Sequence, residues 1–412
     1  MILWVNFLLY ISAIFLIAIF FRKLRPRNSQ HFFDPQNFFI LMLFAEMPFL
    51  LSVVIDQSSL DNRYTLGNSL DYLFFQFTAT KFFFAITFLY ICMLFSKKYD
   101  NAEFSKSIPI KNYFLYGVVF LVMGIFVTSI LVSKVGTLEI ILRSWSIKTE
   151  TVRGTAFLRF SMMIFFAMSV SCFYFDLAKS NSSKFVKSIF LCLSIVLGFV
   201  CLGLFGERKA PLLLIAVLLI AAKFISPQIS FFRARYIVIG LAIFIFSSIA
   251  PVMRQPENIE HFISGDFVPI FSGMLESSTQ IFLNFSDFPV SVFVFGMVNG
   301  IDDLWHFKTI SDFFYGFIPS SFYDQKPPLD EGVYIYNIAQ GNSVTLGSAF
   351  KDMTPVGWPL SRLNGPFLHF WYPGVFLGAI FSAGVTVFLY NHLVKNLNPP
   401  LLFLYSMVCL TS

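Results

Sequence analysis

Nine stretches of mostly apolar residues, separated by short polar connections, set the terms on which this chain can fold. They run at roughly 2–21, 37–55, 71–95, 113–133, 156–176, 187–205, 210–225, 236–251 and 371–391, and a partial tenth begins near 400. A bilayer core takes about 20 residues of helix. Inside it every backbone N–H and C=O must be satisfied within the segment. The pattern therefore predicts an all-α polytopic integral membrane protein with about ten or more transmembrane helices. Composition agrees: 57% of residues are hydrophobic, 13% are charged and mean hydropathy is +0.73, whereas soluble domains carry about a quarter charged residues. Cys92, Cys172, Cys192, Cys201 and Cys409 all lie inside apolar runs and read as small packing residues. Met1–Phe21 has no basic residue before it and no small-residue cleavage site, so it is expected to be a retained anchor. Leu401–Leu410 supplies only half a bilayer's worth of apolar residues, and the chain is expected to continue beyond Ser412.

Lys and Arg in short loops set orientation. Arg22, Lys23, Arg25, Arg27, Lys97, Lys98, Lys106, Lys111, Lys179, Lys184, Lys187, Lys223, Arg233, Arg235 and Lys395 follow odd-numbered spans, 15 in all. The alternate short loops hold seven: Arg63, Lys134, Arg143, Lys148, Arg153, Arg208 and Lys209. The first set is predicted to be cytoplasmic and the N-terminus outside. Residues 1–251 then form eight spans, 252–370 a large outside loop or cap, and 371–412 the C-terminal spans. The cap holds 12 of the 23 acidic residues and five Lys or Arg. Two short apolar pieces within it, 281–298 and 310–322, are expected to be helices on the membrane surface or packed on the bundle.

An ionisable group within a span is a functional candidate, because burying it unpaired is costly. Glu46 and Lys81 both fall mid-span and can pair. Gly206-Glu207-Arg208-Lys209 interrupts two apolar runs on the predicted outer side, against the positive-inside preference. Arginine is a planar fork that matches phosphate oxygens, and Pro211 sits in the first turn of the following helix, where its missing N–H costs little. The free N–H groups of that turn add positive potential. Arg208 and Lys209, with Arg254, Arg143, Arg153 and Arg159, thus suit a lipid phosphate or diphosphate. The plainer reading is that such charges stop helices sliding into lipid or snorkel to headgroups. Trp145, Trp305, Trp358, Trp371, Tyr315 and Tyr323 could stack on sugar rings or form an ordinary interfacial belt. No HExxH, GxSxG or phosphate-binding Gly-rich loop is present. Asp302, Asp303 and His306 read as solvated groups, and no metal site, cofactor or nucleic-acid contact is expected.

Several short pieces resemble the Wzy-type O-antigen (oligosaccharide repeat-unit) polymerase family. They are the Gly206-Glu207-Arg208 turn; Ile318-Pro319 followed by Lys326-Pro327; and Thr345 to Gly347 with "LNGPFLHFWYPGVFLG" running into the next span. Arg143 to Gly154 and Arg254 to Gly265 also repeat an Arg, ten residues, Gly spacing. Where the family often carries a Glu before that span, His369 is the nearest ionisable group here.

The resemblance implies a GT-C-like glycosyltransferase of the bacterial inner membrane, multi-pass, with its active site facing the periplasm. It would move a growing glycan from undecaprenyl diphosphate onto a new lipid-linked repeat unit, making O-antigen or capsule-type polysaccharide without a cofactor. Arg208 and Arg254 would act on the leaving diphosphate and His369 as base. Arg143, Arg153, Arg159, Lys209, Lys326 and Tyr323 would bind substrate. A chain-length regulator protein is an implied partner, beside the lipid-linked oligosaccharide and the bilayer. The alternatives are an O-antigen ligase acting on lipid A-core and a transporter of lipid-linked oligosaccharides.

Overall fold

The computed structural model describes residues 2–24, 33–56, 64–97, 113–135, 155–179, 184–204, 209–225, 264–274, 286–298, 300–315, 330–354, 356–358 and 360–410, with isolated positions between them. Among these residues there is helix and no strand. The helices are α1 (Ile2–Leu24), α2 (Pro35–Ala45), α3 (Met47–Ile55), α4 (Leu70–Phe95), α5 (Tyr113–Val135), α6 (Ala156–Lys179), α7 (Lys184–Leu204), α8 (Lys209–Ile225), α9 (Phe288–Met297), α10 (Ile310–Tyr315), α11 (Glu331–Ala339), α12 (Asn364–Lys395) and α13 (Pro399–Leu410). Seven segments among the described residues are long and apolar enough to cross a membrane: Ile2–Phe21, Pro35–Ile55, Leu70–Phe95, Tyr113–Lys134, Phe157–Ala178, Lys184–Leu202 and Asn364–Lys395. The expected seventh span coincides with α8, which is described over 17 residues. The expected eighth, 236–251, lies outside the described residues.

The helices form two packed groups. One joins α1–α4, α9, α11 and much of α12, around Tyr10, Leu50, Phe74, Phe288 and Phe367. The other joins α5–α8 and α13 around Phe166, Phe173, Leu214, Tyr390 and Tyr405. α12 contributes Val387 to the first core and Leu389 and Tyr390 to the second. Exposed side chains such as Phe15, Leu16, Phe75 and Phe126 are apolar, as a lipid-facing surface requires.

Glycines decide how close the second group packs. A Cβ on Gly117 would lie 2.7 Å from the Phe173 ring, one on Gly124 3.2 Å from Phe166, and one on Gly198 2.6 Å from Leu214. Ser169 of α6 donates to Gly117 O of α5 (2.9 Å) and meets Ser194 Oγ of α7 at 2.6 Å. In both pairings the numbers rise on one helix as they fall on the other, so α5 and α7 each run antiparallel to α6.

Two spans are not continuous helices. The second breaks at Glu46 between α2 and α3, where Pro48 opens the first turn of α3 and has no N–H to give the preceding turn. α12 folds sharply at Phe370 (φ −141°, ψ 17°) and Trp371 (φ 57°, ψ −141°). Residues 364–369 then lie back along the start of the long segment. A Cβ on Gly374 would sit 2.0 Å from Pro366 O and one on Gly378 2.6 Å from Pro366 Cγ. Gly374→Ala is therefore expected to force the fold-back open. Such overpacking costs about 1–3 kcal/mol, seen as a lower thermal transition of the detergent-purified protein. An unchanged transition would show that the backbone gives way freely.

The segment expected to form a cap reaches the bundle core. α9 packs on α4 and α12, and nine of its ten residues are buried. Of the two helices expected from the apolar pieces, 281–298 contains this bundle-packed helix, and among the described residues of 310–322 the six of α10 are helical.

Candidate functional site

Two buried polar clusters stand out in a chain this apolar. The first forms where residues 305–309, the start of α11 and the fold in α12 meet. Asp330 caps α11, its Oδ1 accepting from Gly332 N–H at 2.9 Å. A Cβ on Gly332 would lie 1.8 Å from Trp358 O, and Trp358 N–H donates to Gly332 O at 3.0 Å. This close approach fixes the position of Glu331, the first residue of the helix. Glu331 Oε1 accepts from Thr309 Oγ1 and lies 2.9 Å from His369 Nε2. The other ring nitrogen, His369 Nδ1, accepts from Phe307 N–H at 3.1 Å. Trp305 N–H donates to Leu368 O at 3.1 Å, so residues 305–307 lie against 368–369.

These contacts assign the imidazole. A nitrogen that accepts a backbone N–H carries no proton, so Nε2 holds it and donates to Glu331. Both ring nitrogens are engaged. Among the described residues no hydrogen bond reaches the carboxylate's second oxygen, Oε2. The Glu331 side chain is 28% exposed and that of His369 9%. Burial pushes the Glu331 carboxyl up, but the hydrogen bonds from His369 and Thr309 outweigh it and hold it below the usual range. The cluster extends through Tyr334. Its hydroxyl donates to Asp312 Oδ2 at 2.9 Å and accepts from Gly347 N–H at 3.0 Å. Burial and the Asp312 bond push this phenol up.

Backbone strain gathers at the same place. Four non-glycine residues among those described have positive φ, and three of them adjoin this cluster: His306 (44°), Phe307 (61°) and Trp371 (57°). Such conformations cost about 1–3 kcal/mol each and persist where surrounding structure imposes them, often at functional sites.

The second cluster lies inside the bundle. The expected pair forms, with Lys81 Nζ donating to Glu46 Oε1 at 2.9 Å. A third charged group joins it: Lys81 also donates to Asp287 Oδ2 at 2.8 Å. Tyr10 OH donates to Glu46 Oε2 at 2.8 Å and Asp287 N–H to Glu46 Oε1 at 3.2 Å. The break in the second span thus turns a buried carboxylate toward three donors.

Of the residues singled out from sequence, the structure brings His369 into the first cluster. Arg143, Arg153, Arg208 and Arg254 lie outside the described residues. Lys209 opens α8. Arg159 is half-buried in the first turn of α6, its N–H donating to Thr155 O. Lys326 Nζ donates to Ile318 O at 3.0 Å, and Tyr323 stacks on Tyr315 with ring centroids 5.3 Å apart. Asp303 accepts from Gly300 N–H and His306 Nε2 faces Ile301 O. Glu331, Thr309 and Asp287 went unrecognised. Glu331 and Asp287 sit 38 and 206 residues from their partners, and no local spacing signals such pairings.

Compared with known proteins, the chain matches no protein-family model, no curated protein and no solved structure.

Proposed function

We propose that the chain is a polytopic glycosyltransferase of the O-antigen polymerase kind, with about ten or more spans. It sits in the bacterial inner membrane with its site facing the periplasm. The observation that carries this reading is the Glu331–His369–Thr309 cluster, a polar site on strained backbone beside an apolar bundle. In the reaction an acceptor hydroxyl oxygen bonds to the anomeric carbon of the growing glycan. The bond from that carbon to its diphosphate oxygen breaks, and undecaprenyl diphosphate leaves. Glu331 takes the hydroxyl proton on Oε2, and His369, with its nitrogens engaged, positions the carboxylate. The base in this proposal is thus Glu331, with His369 beside it. Arg208 and Arg254, with Arg143 or Arg153, carry the negative charge of the leaving diphosphate, and Arg159, Lys209, Lys326 and Tyr323 contact substrate. A chain-length regulator remains the proposed protein partner.

The test is gel analysis of lipopolysaccharide from a deletion strain and from strains carrying variants. Loss of the ladder with one repeat unit retained supports polymerisation. Removing a charge-assisted contact to the diphosphate costs about 2–4 kcal/mol, or about 30- to 1000-fold in rate. Arg208→Ala is expected to abolish the ladder at normal membrane abundance, and Arg208→Lys, lacking the fork, to shorten it. A full ladder from Arg208→Ala would assign the charge to anchoring alone.

A second reading has its own observation. Transporters of polar cargo build sites from broken helices and ionisable groups within the membrane, and the Glu46–Lys81–Asp287 cluster sits at such a break. Transport of lipid-linked oligosaccharides predicts that deletion removes the single-repeat band together with the ladder.

A further inference from the structure

α4 and α12 run side by side and leave the bundle together. Near their first ends, Gln76 Nε2 donates to Tyr372 OH at 3.3 Å. At their last ends, Lys97 N–H donates to Asn391 Oδ1 at 2.7 Å, and Asn391 Nδ2 donates to Phe95 O at 2.9 Å. The residue numbers rise together, so the two helices are parallel and end on the same side. Asn391 thus clamps the end of α4 to the last turns of α12. Lys395 follows Asn391 by one turn, where side chains four apart are neighbours. The clamp therefore sets Lys97 beside Lys395, and both lysines are exposed. The Lys395 amine stands within hydrogen-bond reach of Lys97. That bond, slight desolvation and the neighbour's charge hold the Lys97 ammonium below its ordinary value.

A single cation suits each helix C-terminus, but two held together repel. The chain has no Asp or Glu over 72–99 or over 353–412. Among the described residues no carboxylate pairs with either lysine. Just before the pair the surface is apolar, with Leu94 52% exposed, Phe95 62% and Phe388 59%. These three side chains belong to segments long and apolar enough to cross a membrane, so a phosphate level and a hydrocarbon level adjoin here.

We propose that Lys97 and Lys395 form a headgroup site for an anionic phospholipid, with its phosphate between the two ammonium groups and its acyl chains along Phe95 and Phe388. The phosphate removes the repulsion that the clamp imposes. A free phosphate would meet the same cations but leave the apolar ridge without an occupant. Basic sites between spans on the cytoplasmic side take such headgroups, and the Lys and Arg distribution predicts this side to be cytoplasmic. The site stands apart from the reaction proposed above. A rise of 1.5 Å per residue puts about 36 Å between Trp371 and Lys395, more than the roughly 30 Å of a bilayer core. The lysine pair and the Glu331–His369 cluster therefore lie toward opposite faces.

The experiment uses the full chain in neutral detergent, with phosphatidylglycerol as the probe, phosphatidylcholine as the uncharged reference and native mass spectrometry as readout. Lys97→Gln, Lys395→Gln is expected to lower phosphatidylglycerol retention about 10- to 30-fold. Phosphatidylcholine retention and the thermal transition without added lipid should stay as in wild type, because both side chains are exposed. Lys97→Arg, Lys395→Arg should retain the probe. The control Lys23→Gln, Lys134→Gln removes equal charge from two other exposed helix ends and should bind as wild type. Wild-type retention in the glutamine pair overturns the proposal and leaves the lysines to a carboxylate of the connection after α4. An equal loss in the control also overturns it, as an effect of net charge alone. Full displacement of the probe by inorganic phosphate at equal concentration would make this a free-anion site and remove the lipid.

Discussion

Replacing Lys81 by methionine is expected to remove most of the folded protein from the membrane. Among the described residues Lys81 is the cation that touches both Glu46 and Asp287, at 2.9 and 2.8 Å. The Glu46 side chain is 3% exposed, so losing the ammonium leaves a buried carboxylate beside a second one. Breaking a buried pair by deleting one partner costs about 3–5 kcal/mol, a large share of the roughly 5–15 kcal/mol that holds a domain folded. Methionine keeps the length of the side chain, so the loss is chiefly of charge. Asp287→Asn leaves a neutral Lys–Glu pair and should cost least of the cluster's single changes. The double variant Lys81→Met, Glu46→Gln should recover part of the loss, because it removes the stranded charge together with its partner. The measurements are membrane abundance and the thermal transition in detergent. A Lys81→Met protein that melts like wild type would show the cluster to be hydrated and energetically idle.

Glu331→Gln is expected to reduce glycan transfer about 10²- to 10⁴-fold, the range for a positioned general base. Glutamine keeps an oxygen for Thr309 and His369 but takes up no proton, so the protein should still fold and insert, less the stabilisation the ionised carboxyl contributes. The carboxyl is held below the usual range. Ionisation of Glu331 therefore favours the fold above the ordinary Glu value of about 4.3, and that contribution disappears as pH falls through the lower folded value. The acid limb of activity should lie below that ordinary value as well. His369→Gln removes one of the bonds that lower the carboxyl, so the acid limb should move up in pH while activity persists. An unmoved limb would leave His369 a purely structural neighbour, and full activity in Glu331→Gln would remove the base assignment.

The spans were legible because each is written in consecutive residues: α1, α4, α5, α6 and α7 lie close to the apolar runs that predicted them. Glu46 and Lys81 were legible as a pair because each stands alone in apolar surroundings with no other neutralising group in reach of the eye. What the sequence hid was long-range. Nothing around Asp287 distinguishes it from the other cap acids until α9 packs on α4. Glu331 looks like an ordinary helix-start acid beside Asp330, and only the fold at Phe370–Trp371 carries His369 to it. That fold is itself concealed, because Pro373 reads as the natural first turn of a span beginning near 371, and the short helix before it reads as cap.

The buried cluster also has an order in time. Glu46 and Lys81 are 35 residues apart, whereas Asp287 follows Lys81 by 206. At about 5–20 residues per second of synthesis, roughly 10–40 seconds separate the two. During that interval the emerging helices carry a Lys–Glu pair of zero net charge, the form that enters hydrocarbon at least cost. Asp287 arrives only after α4 through α8 have been made. The nascent cluster is thus charge-balanced before its last acidic group exists, and the lysine that balances it is the same group that then meets the start of α9.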